Sequence, residues 1–149
     1  MIEYRKASQN DIDQLTRLRV QQLIDEGYRQ INDIDEDLKS YFAESLSNDS
    51  LICWVGINEE TIVATAGICF YQLPPSFSNP TGGVAYITNM FTHEAFRKQG
   101  IASYLFDLLL KEAKHLNYTS VRLHASEHGK SIYVKAGFVA TDGYMAKKL

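Results

Sequence analysis

Apolar residues recur with two different periods along this chain of 149 residues, and each change of period marks an element. The opening "IEYRKA" alternates apolar and polar positions and predicts a strand. In "SQND", Ser8 and Asp11 stand at capping-box spacing, and Ile12, Leu15, Leu18 and Leu23 then recur at helical spacing, so a helix runs to about Asp25. The next stretch, "EGYRQINDIDED", is acidic and broken by Gly27. Leu38, Tyr41, Phe42 and Leu46 predict a second helix beyond it. "LICWVGI" and "TIVATAGICFY" are β-rich and separated only by the short polar "NEE", which predicts a hairpin in the middle of a sheet. "QLPPSFSNPTGG" holds all three prolines and two of the nine glycines, so it is a loop and a candidate lid.

The second half alternates element types. "VAYITNMFT" reads as a strand, residues 101–116 as a helix with Asn117 as a left-handed stop, and "SVRLHAS" as a further strand, an order that predicts a parallel crossover. The tail, "HGKSIYVKAGFVATDGYMAKKL", reads as a short helix stopped by Gly137, a strand "FVAT", a turn at Asp142 and Gly143, and a last short strand. Helices and strands are therefore mixed. Neither a repeat nor a linker divides the chain, and its length fits one domain over residues 1–149.

Composition narrows the function classes. Hydrophobic residues make up 45% and charged residues 22%, an ordinary globular balance, and the net charge of −3 gives no general attraction to nucleic acid or an anionic membrane. Any anion site must be local. Cys53 and Cys69 lie in apolar runs without metal-like or CxxC spacing, which reads as free thiols, no bound metal and a reducing cytoplasm. The first residues lack an apolar signal core, and no run reaches the roughly 18–20 apolar residues of a membrane span.

The segment with the most chemistry is "FRKQGIASY", where Arg97, Lys98 and Gly100 precede a strongly amphipathic helix. A helix N-terminus exposes unpaired backbone N–H groups and a partial positive charge, and a glycine lets an anion approach the backbone. The same residues also read as a plain helix-start glycine beside a solvated basic pair. No GxGxxG follows the first strand and no GxxxxGK[ST] occurs, which argues against a dinucleotide fold or a nucleotide triphosphatase.

"RKQGIA", placed after the strand "AYITNMFT" and before the helix "SYLFDLLLKEAKHL", resembles the Q/R-x-x-G-x-G/A acetyl-CoA signature of the GCN5-related N-acetyltransferases. "SEHGKSIYVKAGF" is similar to the later segment of that family, in which a tyrosine on a short helix precedes a Gly-Phe pair. "IEYRKASQNDIDQLTRL" resembles its opening strand and helix, so the likeness spans nearly the whole chain. It implies a mixed α/β (α+β) domain with a mostly antiparallel twisted sheet of about six to seven strands, splayed at the acetyl-CoA site and flanked by about four helices. It also implies that backbone N–H groups of Arg97, Lys98, Gln99, Gly100, Ile101, Ala102 and Ser103 hold the coenzyme A diphosphate. Met90, Phe91 and Thr92 would pair with the pantetheine arm as a sheet edge pairs with a peptide. Tyr133 matches the tyrosine that protonates the departing thiolate, and Ser126 stands where the family often has asparagine, as a shorter contact to the coenzyme or to Tyr133.

Acetyl transfer requires a neutral amine. For an amine of pKa about 10.4, deprotonation at pH 7 costs roughly 4–5 kcal/mol, so a base or a water chain is valuable. "VAYITNMFT" carries no acid where some members have a glutamate. The candidates are His124 and Glu127, with Glu94 and His128 behind them, or a water ordered by Tyr86, Thr88 and Asn89. Asp25, Glu26, Asp33, Asp35, Glu36 and Asp37 make the region of the first two helices acidic, which favours a cationic acceptor if they face the cleft and otherwise complements a helix dipole. That region and the proline-rich loop are the expected acceptor side, with Tyr28, Phe70, Tyr71 and Phe77 as candidate pocket aromatics. The expectation is an acetyl-CoA-dependent N-acetyltransferase acting on a primary amine of a small molecule or a protein. A non-catalytic acyl-CoA sensor of the same fold and a plain α/β binding domain stand as alternatives. Sheet edges and exposed aromatics are compatible with a homodimer.

Overall fold

The computed structural model describes residues 1–127, 129–141 and 143–149. Its elements are β1 (Glu3–Lys6), α1 (Ile12–Asp25), α2 (Asp35–Ser47), β2 (Leu51–Asn58), β3 (Thr61–Gln72), β4 (Gly83–Thr92), α3 (Ile101–His115), β5 (Val121–Leu123) and α4 (Lys130–Lys135). The strands form one sheet in the order β1-β2-β3-β4-β5. All neighbours are antiparallel except β4 and β5, which α3 joins as the expected parallel crossover. The tight turn between β2 and β3 holds both Glu59 and Glu60 at positive φ, 46° and 67°, as a two-residue hairpin of the favoured twist requires.

Alternation along β2 divides the core. Leu51, Cys53 and Val55 pack with Leu15 of α1 and Phe42 of α2 on one face. Ile52 and Trp54 point to the other face, where Ala64, Ala66 and Ile68 of β3 meet Ile101, Leu105, Phe106 and Leu109 of α3. The small residues on β3 let α3 lie close to the sheet. A polar clasp fixes its far end: Glu112 accepts from the Trp54 indole N–H at 3.1 Å and pairs with Lys6 at 2.8 Å. Asn117, at φ 66°, ends the helix in the left-handed conformation. Among the described residues no helix is long and apolar enough to cross a membrane.

The strand count is a correction. Five strands form among the described residues instead of six to seven, because residues 138–141 and 143–149 make no ladder. Phe138 packs on Phe106 and Tyr133, but Val139 is 82% and Met145 98% exposed, so the alternating pattern there has no face to bury. Alternation states which side a residue would take in a strand; hydrogen bonds to a neighbour make the strand. The expected turn at Asp142 lies outside the described residues.

At the other end of the chain, the entry into α1 rests on one carboxylate. Asp11, buried, accepts from both Arg5 guanidinium nitrogens at 2.8 and 2.9 Å and from the Ser8 backbone N–H at 2.7 Å. The Arg5 hydrogen bonds, followed by the Ser8 N–H, hold its pKa below the ordinary carboxylate value against the opposing effect of burial. A depressed folded-state pKa makes the contribution to stability fully present above the unfolded value of about 3.9 and lost as pH falls through the folded one. Asp11→Ala should cost about 2 kcal/mol in urea unfolding at pH 7, and its deficit relative to wild type should shrink below about pH 4.

Candidate functional site

The sheet opens where β5 stops. β5 pairs with β4 at Ala85, Tyr86 and Ile87 only, and β4 then runs on through Thr92 with that edge unpaired. At the same point β4 gains a residue relative to β3: Thr65 faces Phe91, while Gly67 faces Thr88. Asn89 absorbs the extra length with a left-handed backbone, φ 54°, and Thr65 Oγ1 donates to its carbonyl at 2.7 Å. The bulge comes so close to β3 that a Cβ on Gly67 would lie 3.2 Å from the Thr88 carbonyl oxygen. A bulge of this kind bends its strand, and a cleft of about 1410 Å³ is lined by β4 from Tyr86 to Thr92. No feature of the sequence reading located this bulge. Its one local signal is an asparagine, a residue that tolerates the left-handed region, inside a β-rich run.

Met90, Phe91 and Thr92 line this cleft, as do Arg97, Lys98, Gly100, Ile101, Ala102 and Ser103. Lys98 and Gly100 both have positive φ, 61° and 80°, and no side chain caps the start of α3. The first N–H groups of α3 therefore stay free for an anion. A Cβ built on Gly100 would meet nothing within 4 Å, so the space that a phosphate needs is open. The residues thus fit a diphosphate through their backbone. Arg97 is turned elsewhere: its Nε donates to the Thr92 carbonyl at 2.9 Å and its Nη2 to Asp25 Oδ2 at 3.1 Å, which ties the cradle to the end of α1. Gln99 does not line the cleft; its side-chain amide donates to the Ala95 carbonyl at 3.4 Å.

Across the cleft stands Tyr133 on α4, 8% exposed and packed against Phe106 and Phe138. Burial pushes its phenol pKa up, and the charge of Glu26 adds to the effect, so the hydroxyl keeps its proton at neutral pH. Ser126 Oγ accepts from the Gly129 N–H at 3.2 Å. A Cβ on Gly129 would lie 2.9 Å from Tyr133 Cε2, 3.2 Å from the phenol oxygen and 3.3 Å from Ser126 Oγ, so Ser126 and the phenol meet around this glycine. Of the candidate bases, His124 and Glu94 line the cleft and Glu127 does not, while His128 lies outside the described residues. Tyr86, Thr88 and Asn89 line it too.

The wall facing Tyr133 comes from α1 and the residues just after it, including Arg19, Gln22, Leu23, Glu26 and Tyr28. Neither α2 nor the loop at residues 73–82 contributes, against the expectation for the acceptor side. Asp35, Glu36 and Asp37 occupy the first turn of α2, where they complement its dipole. Phe70 stacks on Tyr118 with ring centroids 5.0 Å apart, and Phe77 is fully exposed. Gln22 was not foreseen. It is 6% exposed and occupies the position that continues the Leu15 and Leu18 stripe, so its polarity on an apolar face is the signal that was available.

The sequence profile of the acetyltransferase (GNAT) family matches residues 17–138. Among solved structures, a predicted acetyltransferase from Clostridium acetobutylicum, determined with acetyl-CoA, is 42% identical, with 99% of this chain and 96% of that one covered and a TM-score of 0.96. A GCN5-related N-acetyltransferase from Ralstonia eutropha is 22% identical over 100% and 99% of the two chains, with a TM-score of 0.92. Glucosamine-6-phosphate N-acetyltransferase from Arabidopsis thaliana is 20% identical over 99% and 98%, with a TM-score of 0.75. The last two show likeness of fold alone. A search of curated protein sequences gives no match. With the bulged strand, the open cradle at the start of α3 and a profile match over most of its length, this chain belongs to the GNAT acetyltransferase family.

Proposed function

We propose that this protein transfers the acetyl group of acetyl-CoA directly to a primary amine, on a small molecule or a protein, within a ternary complex. The observation that carries the reading is the convergence on one cleft of a free strand edge, an anion cradle and a protonated phenol. Acetyl-CoA is the co-substrate of the family, and the 42% identical Clostridium structure was determined with it. When bound, it supplies an activated acyl group on a thiol leaving group.

The chain's own residues divide the remaining work. The edge of β4 from Met90 to Thr92 that β5 leaves unpaired offers outward-facing backbone groups to an extended, amide-bearing arm, while the Thr92 carbonyl already accepts from Arg97 Nε. The N–H groups that open α3 hold the diphosphate, with Gly100 leaving the approach clear. Tyr133 holds a proton at its phenol oxygen for the leaving sulfur, and its raised pKa keeps that proton in place over the physiological range. Direct transfer is supported by the position of the thiols. Neither cysteine lines the cleft, and burial pushes the Cys53 thiol up to about 12, far from a usable nucleophile. Both thiols are free, which favours a reducing compartment, and we place the protein in the cytoplasm.

Acetyl-CoA at 100 times its dissociation constant should raise unfolding stability by about 2.7 kcal/mol, measured as a thermal shift. Gly100→Asp should weaken acetyl-CoA binding by about tenfold or more in calorimetry, and Lys98→Ala should change it far less. Tyr133→Phe should lower kcat by about a hundredfold with acetyl-CoA affinity retained, measured as thiol release across a panel of amines and peptides. Gly129→Ala should lower kcat in the same assay by displacing the phenol. Acetyl-CoA binding without turnover of any amine would favour the sensor reading instead.

A further inference from the structure

Two consecutive carboxylates end α1, and the structure treats them differently. Asp25 accepts from the amide of Gln21, four residues earlier, at 2.8 Å, and its charge is matched by Arg97 at 3.1 Å. Glu26 accepts from the amide of Gln22, again four residues earlier, at 3.1 Å. Among the described residues no Lys, Arg or His lies within ion-pair distance of it. Gln22 is itself fixed, because Arg19 Nη1 donates to its Oε1 at 3.2 Å and so turns its NH₂ toward Glu26. A buried glutamine held on both sides thus orients a carboxylate that lines the cleft and has no cation of its own.

We propose that Glu26, oriented by Gln22, is the acceptor-recognition group of this protein and pairs with the ammonium of the incoming primary amine on the wall facing Tyr133, before that nitrogen gives its proton to water in the cleft and attacks the thioester as the neutral amine. The inference rests on the acetyl-transfer reading and adds a residue and a substrate class to it. Leu23, Tyr28, Tyr86 and Ile132 line the same cleft as Glu26 and offer apolar and aromatic surface to the stem of a cationic amine. Asp25, one residue away, is spent on closing the cradle and leaves this task to its neighbour. Gln22 acts through Glu26 and is a positioning residue.

The test uses the full-length protein with coenzyme A present, n-hexylamine as the cationic probe and n-hexanol as its neutral counterpart. Wild type should bind hexylamine more tightly than hexanol, and Glu26→Gln should weaken hexylamine binding by about tenfold while leaving hexanol and coenzyme A affinity unchanged. Glu36→Gln, in the first turn of α2, should leave all three unchanged. In turnover with the best amine of a panel, Glu26→Gln should raise KM by a similar factor with a much smaller change in kcat. Gln22→Met should shift KM in the same direction, and Gln22→Glu should fail to restore it. Equal hexylamine affinity in wild type and Glu26→Gln, or a wild type that does not distinguish hexylamine from hexanol, would overturn the inference. The two readings fail separately. Glu26-dependent amine binding without turnover removes acetyl transfer but keeps the recognition site, whereas turnover indifferent to Glu26 does the reverse.

Discussion

The hydrogen bond from Thr65 to the Asn89 carbonyl pins the place where β4 carries one residue more than β3, and the geometry of the cleft depends on it. The β4–β5 ladder ends at Ile87, and the extra residue of β4 follows directly, between Thr88 and Phe91. With the bulge in place, Met90, Phe91 and Thr92 line the cleft. Asn89 is 6% exposed and a Cβ on Gly67 would crowd the Thr88 carbonyl, so the extra residue is held by packing as well as by the hydrogen bond.

From that opening the polypeptide distributes its tasks by distance along the fold. The turn from β4 into α3 supplies the cradle through backbone N–H groups, which needs left-handed geometry at Lys98 and Gly100 more than it needs charge. The Arg97 guanidinium, which the sequence places beside the cradle, is used instead to reach α1 through Asp25. That contact joins residues 72 positions apart and links the two walls of the cleft. Being partly exposed, it contributes little to stability, and its value is geometric.

Most elements were legible because each has a local cause. Periodicity marked α1, α2 and α3, and the short polar "NEE" marked the hairpin. The glycine motif and Tyr133 were legible through their order along the chain, and the structure brings both to one cleft. The tail was misread for a physical reason: "FVAT" has the composition of a strand, but a ladder depends on a neighbouring edge that composition does not describe. The acidic run at Asp35 to Asp37 was weighed as an acceptor surface and serves a helix terminus.

The sequence by itself determined the order of elements, the two buried faces of the sheet and the glycine-led start of α3 with its free N–H groups, because each follows from side-chain period or turn chemistry. Only the tertiary structure decided the bulge at which the sheet opens and which carboxylate of the cleft is paired. Both depend on contacts between segments far apart in the chain: Thr65 with Asn89, and Asp25 with Arg97. Asp25 and Glu26 are chemically alike and adjacent in sequence. Both line the cleft, but one is neutralised by a guanidinium and the other is not, because the fold brings Arg97 opposite Asp25 alone.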